Sequence, residues 1–199
     1  SKSLRDYLYG RYRIDNSKIV VAPDAVDQSW ITMRENVSVF RKELGYRESD
    51  LLIGYTGSLY KGRGIELILE IAKHRPQDKF IIIGGPSNER EVFITKAKKS
   101  GLNNIRFKNY VPHNLLPQYL FSCDILLMPY QKKLKTANNG PDTSKFMSPI
   151  KMFEYMASGK PIIASNLNVI KEVLENERNS LLVESDKVSQ WCNAIRKLA

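Results

Sequence analysis

Short apolar runs alternate along the chain with stretches whose apolar residues recur every three to four positions. The short runs have the length and composition of strands and predict them at Leu51–Tyr55, Lys79–Ile83, Ile105–Lys108, Ile125–Pro129, Pro161–Ala164 and Leu181–Val183. The helical periodicity predicts helices at Ile65–His74, Glu89–Ser100, Asn114–Phe121, Pro149–Ser158, Asn168–Glu175 and Lys187–Leu198. Strands that are apolar throughout, such as LLIGY and FIIIGG, suit a parallel sheet covered on both faces. Regular β–α alternation then gives an α/β doubly wound sheet with right-handed crossovers. Folds of this kind hold ligands at the carboxyl ends of their strands, where the strand order reverses.

The first part of the chain departs from this rhythm. Leu4–Tyr12 reads as a helix, Lys18–Ala22 as a strand, Pro23–Trp30 as a turn-rich passage and Met33–Leu44 as a helix. Residues 51–199 therefore form the main domain, entered through 23–50. The segment 131–147 is long, polar and without periodicity, and loops of that kind in compact domains are commonly functional or disordered.

Composition narrows the function classes. With 42% hydrophobic and 26% charged residues the chain has a globular balance. Its net charge of +10 favours anionic partners, yet the basic residues are scattered and no base-reading motif is present, which argues against nucleic acid. Two cysteines, Cys123 and Cys192, and two histidines lack metal-type spacing, so neither a metal site nor a cofactor is expected. Cys123 reads as a buried free thiol of a reducing compartment, and no stretch reaches the about 20 apolar residues of a membrane span.

Two segments carry chemistry. In SPIKMFEYMASG, Ser148 is placed to cap a helix that begins at Pro149 and Ile150 and ends at Gly159. The amide groups and dipole of such a helix start attract an anion. Lys151 in the first turn opposes the dipole, a placement that an anion at the helix start would explain. Glu154, one turn further on, can accept two hydroxyl hydrogen bonds, as from a ribose; an i,i+3 surface pair with Lys151 is the alternative. Tyr155 and Met156 are expected in the core. In GSLYKGRG, the three glycines Gly57, Gly62 and Gly64 allow close backbone approach beside the candidate contact Ser58, while Lys61 and Arg63 carry charge over the loop. The loop lacks the Lys-Ser/Thr ending of a P-loop. Gly84 and Gly85 end a strand in a tight turn, and Val111 follows another; each could face a nucleotide base or simply close a turn.

Taken in order, PDAVD (23–27), YTGSLYKGRGIELILEIA (55–72), FIIIGG (80–85), YVPHNLLPQYLFSCDILLMPY (110–130) and SPIKMFEYMASGKPIIAS (148–165) resemble the C-terminal domain of GT-B-fold retaining glycosyltransferases of family 4, the glycosyl transferases group 1. The resemblance implies a Rossmann-like half of a GT-B fold that binds a nucleotide sugar without a metal. Glu154 matches the second glutamate of the family's E-x7-E motif, the ribose ligand, and Arg63 the base that neutralises the departing diphosphate, with Lys151 assisting. Lys61 or Lys151 would stand in for the basic residue that the family often carries where this chain has Ser58. The first glutamate of the motif falls on Phe146, so the usual contact to the transferred sugar is replaced.

Residues 1–22 would then be the tail of an N-terminal acceptor domain, with a further C-terminal stretch expected after Ala199. The chain by itself would bind donor without turnover, inside the cytoplasm or on the inner face of the membrane near a lipid-linked acceptor. A cell-surface glycan is the implied product. A non-catalytic nucleotide-sugar-binding module and, more distantly, a basic nucleic-acid-binding domain are the competing readings.

Overall fold

The computed structural model describes residues 1–28, 30, 37–135 and 142–199. Each apolar run becomes a strand within a residue of its expected ends: β1 Leu52–Thr56, β2 Lys79–Ile83, β3 Ile105–Lys108, β4 Ile125–Met128, β5 Ile162–Ser165 and β6 Leu181–Val183. They pair in parallel in the order β3-β2-β1-β4-β5-β6. The order reverses between β1 and β4, and this is the switch point of a doubly wound sheet.

Alternation of side chains along the strands feeds two separate cores. Ile53, Tyr55, Phe80, Ile82, Ile125, Leu127 and Ile163 point to one face. There they meet the helices α3 (Ile65–His74), α4 (Ser87–Lys99) and α7 (Val188–Leu198). Leu52, Ile81, Ile83, Leu126, Met128, Ile162 and Ala164 point to the other, against α5 (Leu116–Ser122) and α6 (Ile150–Ser158). The helices α1 (Lys2–Tyr12) and α2 (Val37–Glu43) precede the sheet. Residues 33–36 of the expected entry helix lie outside the described residues.

Arg41 of α2 locks the entry segment to the amino ends of the strands. Its guanidinium donates to both carboxylate oxygens of Asp124 at 3.0 Å, to the Ser122 carbonyl at 2.9 Å and to the Asp50 carbonyl. Asp124 in turn accepts from the Leu52 amide at 2.7 Å, so one ion pair ties α2, β1 and β4 together.

Two expected elements form differently. Lys18–Ala22 is not a strand: Asn16–Lys18 makes a short 3₁₀ turn and Val20 is 90% exposed, with no strand beside it among the described residues. Asn168–Glu175 is a series of turns in place of an α-helix. Bonds back three residues (Ile170 to Leu167, Val173 to Ile170) interleave with bonds back four (Lys171 to Leu167), while Val169, Ile170 and Leu174 still reach the core.

Candidate functional site

A cleft of about 710 Å³ opens at the carboxyl ends of β1, β2 and β4, where the strand order predicts a ligand. Its walls are the glycine loop after β1, the Gly84–Gly85 turn after β2, Tyr110 and Val111 after β3, Tyr130 after β4, and the start of α6. The loop after β1 depends on glycine. Gly57 has φ +124°, and a Cβ there would lie 2.6 Å from Lys151 Nζ; Gly64 has φ +84°, and a Cβ would lie 1.9 Å from the Pro129 carbonyl oxygen. Both positions have a left-handed backbone; at Gly64 a side chain would also meet fixed backbone, whereas at Gly57 it would meet the movable end of Lys151.

Lys151 runs beneath this loop. It is 9% exposed, its Nζ lies 4.0 Å from the Tyr55 ring centroid and 5.3 Å from that of Tyr130, and it donates to the Thr56 carbonyl oxygen. Burial pushes its ammonium well below the ordinary lysine range, the Arg63 charge pushes the same way, and Glu154 partly opposes both. Arg63 stands over the other side of the Tyr130 pocket, its guanidinium carbon 5.1 Å from that ring centroid and its Nε buried without a hydrogen-bond partner. Burial also raises the Tyr130 phenol to about 12, so it stays a neutral wall between the two cations. Two cations confined together, beneath a helix start whose dipole is also positive, make a pocket receptive to an anion.

Glu154 lies one turn deeper, 7% exposed, and its Oε1 accepts from His113 Nε2 at 3.1 Å. The carboxylate therefore sits in the cleft wall, and the surface pairing with Lys151 is not formed. Its neighbour Tyr155 is fully buried, its hydroxyl accepting from the Thr56 amide at 2.8 Å, whereas Met156, expected in the core, is 40% exposed.

Of the residues expected at the site, the cleft brings together Gly57, Ser58, Arg63, Gly84, Gly85, Val111, Ser148, Pro149, Ile150, Lys151 and Glu154. Lys61 and Gly62 are not part of the wall. The backbone beneath them is paired with 131–135, and a Cβ on Gly62 would meet the Lys133 carbonyl oxygen at 2.2 Å, so this stretch braces the loop from behind. Ser148 does not cap α6: Pro149 holds the cap position without a side-chain bond, and the Ser148 hydroxyl donates instead to Asp24 at 2.5 Å. The helix start is thereby left open to the cleft. Phe146 turns away from it, its ring 4.6 Å from Tyr7 of α1 and its carbonyl accepting from the Ser1 hydroxyl. Residues 136–141 of the long polar segment lie outside the described residues; its ends are pinned by Asp142, which accepts from the Leu134 and Ser144 amides.

Sequence reasoning did not pick out His113 or Tyr130 as site residues. Tyr130 lies two residues past β4, whose carboxyl end flanks the switch point, and that position was the available signal; His113 lies five residues past the edge strand β3 and had no such signal.

An open α/β domain with an anion-receptive cleft at its switch point is the class of protein that this fold and site define. The chain belongs to the glycosyl transferases group 1 family, whose model matches residues 50–199. It is 21% identical over 211 residues to a D-inositol 3-phosphate glycosyltransferase of Stackebrandtia nassauensis, covering all of this chain and 44% of that protein. HepE of Anabaena, solved in complex with UDP, superposes with a TM-score of 0.78 at 18% identity, over 99% of this chain and 52% of its own. A glycosyltransferase of Rickettsia africae does so with a TM-score of 0.77 at 17% identity, over 100% and 51%. The chain thus spans less than half the length of the curated relative and about half of each solved one, and its fold is one half of the GT-B architecture.

Proposed function

We propose that this chain is the donor half of a retaining, metal-independent glycosyltransferase, and that the cleft holds a nucleoside diphosphate sugar. The observation that carries this reading is the pairing of Arg63 and Lys151 under the open start of α6, with a buried carboxylate one turn further in. The diphosphate would lie against Arg63, Lys151 and the α6 amides, the ribose hydroxyls on Glu154, and the base between Gly84–Gly85 and Val111. Breaking the anomeric bond places negative charge on the departing diphosphate, and preorganised cations and amides stabilise that charge as it develops. Basic side chains would then do the work that a divalent ion does elsewhere. The bound UDP of HepE favours a uridine donor. The relatives' names range from D-inositol 3-phosphate glycosyltransferase to a putative teichuronic acid biosynthesis glycosyltransferase, and a cell-surface acceptor is the finer reading proposed for this chain.

Calorimetric titration with UDP, with and without a chelator, tests the site. Wild type should bind in both conditions, and Glu154→Ala should weaken binding by about tenfold or more, the loss of one hydrogen bond to a charged group. Undiminished affinity of the variant would remove the ribose role. Phe146 in place of a carboxylate supports a second reading, a module that binds donor without transferring it. Hydrolysis of UDP-sugars by a longer form that includes the N-terminal half separates the two.

A further inference from the structure

The carboxylate of Glu154 is not oriented by its own helix. Its Oε1 is taken by His113, which arrives from the loop after β3, and the bond runs from Nε2–H to the carboxylate. With one oxygen engaged at 3.1 Å, the carboxylate rotor is fixed and Oε2 is the atom left for a ligand hydroxyl. The His113 side chain is itself 63% exposed, so burial does not hold the ring. What holds it is Trp30, 4% exposed, whose ring centroid lies 4.6 Å from the imidazole at a tilt of 45°. Trp30 ends the passage that begins at Pro23, and Asp24 of that passage is the residue bonded to Ser148 at the other lip of the cleft.

We propose that His113, seated on Trp30, is a positioning residue for Glu154, so that the donor ribose contact is assembled from three separate segments and depends on the 23–30 passage. This rests on the donor-site reading above. An exposed imidazole–carboxylate pair is otherwise worth little. The pair matters here because Glu154 is buried, and a buried carboxylate turned to the wrong rotamer cannot meet the ligand.

The test is a double-mutant cycle read with two probes, UDP and its 2′,3′-dideoxy analogue, which keeps base and diphosphate but has no ribose hydroxyls. His113→Ala should weaken UDP about tenfold and leave the dideoxy analogue unchanged. The double variant with Glu154→Ala should bind UDP no more weakly than Glu154→Ala alone, because the histidine acts only through the carboxylate. His113→Gln, which returns an N–H donor, should recover most of the affinity, and Trp30→Phe should retain it. Additive losses, equal losses on both probes, or an unchanged His113→Ala beside a weakened Glu154→Ala would overturn the positioning role and leave the donor site standing. If wild type does not bind UDP, or Glu154→Ala binds it as wild type does, the donor-site reading itself fails and takes this inference with it.

Discussion

Replacing Lys151 by methionine should separate stability from function at one position. The lysine is 9% exposed, lies between two tyrosine rings and has Arg63 beside it, so its charge is held where burial and a like charge both oppose it. The effective penalty for burying an ion is several kcal/mol, only partly offset by one hydrogen bond to the Thr56 carbonyl, the faces of two tyrosine rings and the Glu154 carboxylate. Methionine has similar length and suits an apolar slot between rings. It forfeits the hydrogen bond, at about 1–2 kcal/mol for the unsatisfied carbonyl, and relieves the buried charge. The net expectation is a variant about 1–3 kcal/mol more stable at neutral pH.

The pH dependence supplies a sharper check. A lysine whose folded value lies below the ordinary 10.5 binds fewer protons folded than unfolded across the interval between the two. Wild-type stability therefore gains from this group as pH rises through that interval, with a slope of up to about 1.4 kcal/mol per pH unit. The methionine variant lacks that contribution, so its advantage should be largest at the low end and vanish toward pH 10. Urea unfolding across the range measures it, and UDP titration should show affinity falling by about 30-fold, as for one charge-assisted contact of about 2 kcal/mol. A variant that is less stable than wild type at neutral pH, with an unchanged pH slope, would refute the claim that the buried charge is costly.

Other substitutions read other parts of the molecule. Arg63→Lys keeps the charge and removes the planar fork, so UDP affinity should fall about tenfold with little change in melting temperature by differential scanning fluorimetry. Arg41→Ala removes the guanidinium partner of Asp124 and of the Ser122 and Asp50 carbonyls; urea unfolding should show a loss of about 3 kcal/mol with an unchanged m-value. Gly64→Ala drives a Cβ into the Pro129 carbonyl at a positive φ, and chemical denaturation should report at least about 3 kcal/mol of destabilisation together with lost UDP binding.

The sheet and its helices were legible because apolar strands and amphipathic helices impose different periods on the same alphabet. Where that failed, local pattern met tertiary circumstance. The run Lys18–Ala22 has strand composition but no strand beside it among the described residues, and Asn168–Glu175 has helical spacing but is pinned by mixed turn bonds. Arg63, Lys151 and Glu154 were legible at the site, because charge beside a glycine loop or within a helix's first turns is locally conspicuous. The His113–Glu154 pair was not: its members lie 41 residues apart and meet only because α6 packs beside the loop after β3. The role of Ser148 was misassigned for a similar reason, since the hydroxyl found a carboxylate from the far end of the chain.

The strand order also determines when during folding the cleft comes into being. Ile53 pairs on one side with Phe80 and on the other with Ile125, so β1, β2 and β3 can zip together as soon as they are made, while β1's second edge waits for β4. Until then one apolar strand edge is open, a template for wrong partners, and its closure is a slow, non-local event. Because the cleft straddles that seam, ligand capture is possible only once β4 has paired with β1. Nucleotide in the refolding mixture should therefore leave the early rate unchanged and stabilise only molecules in which the β1–β4 seam has closed.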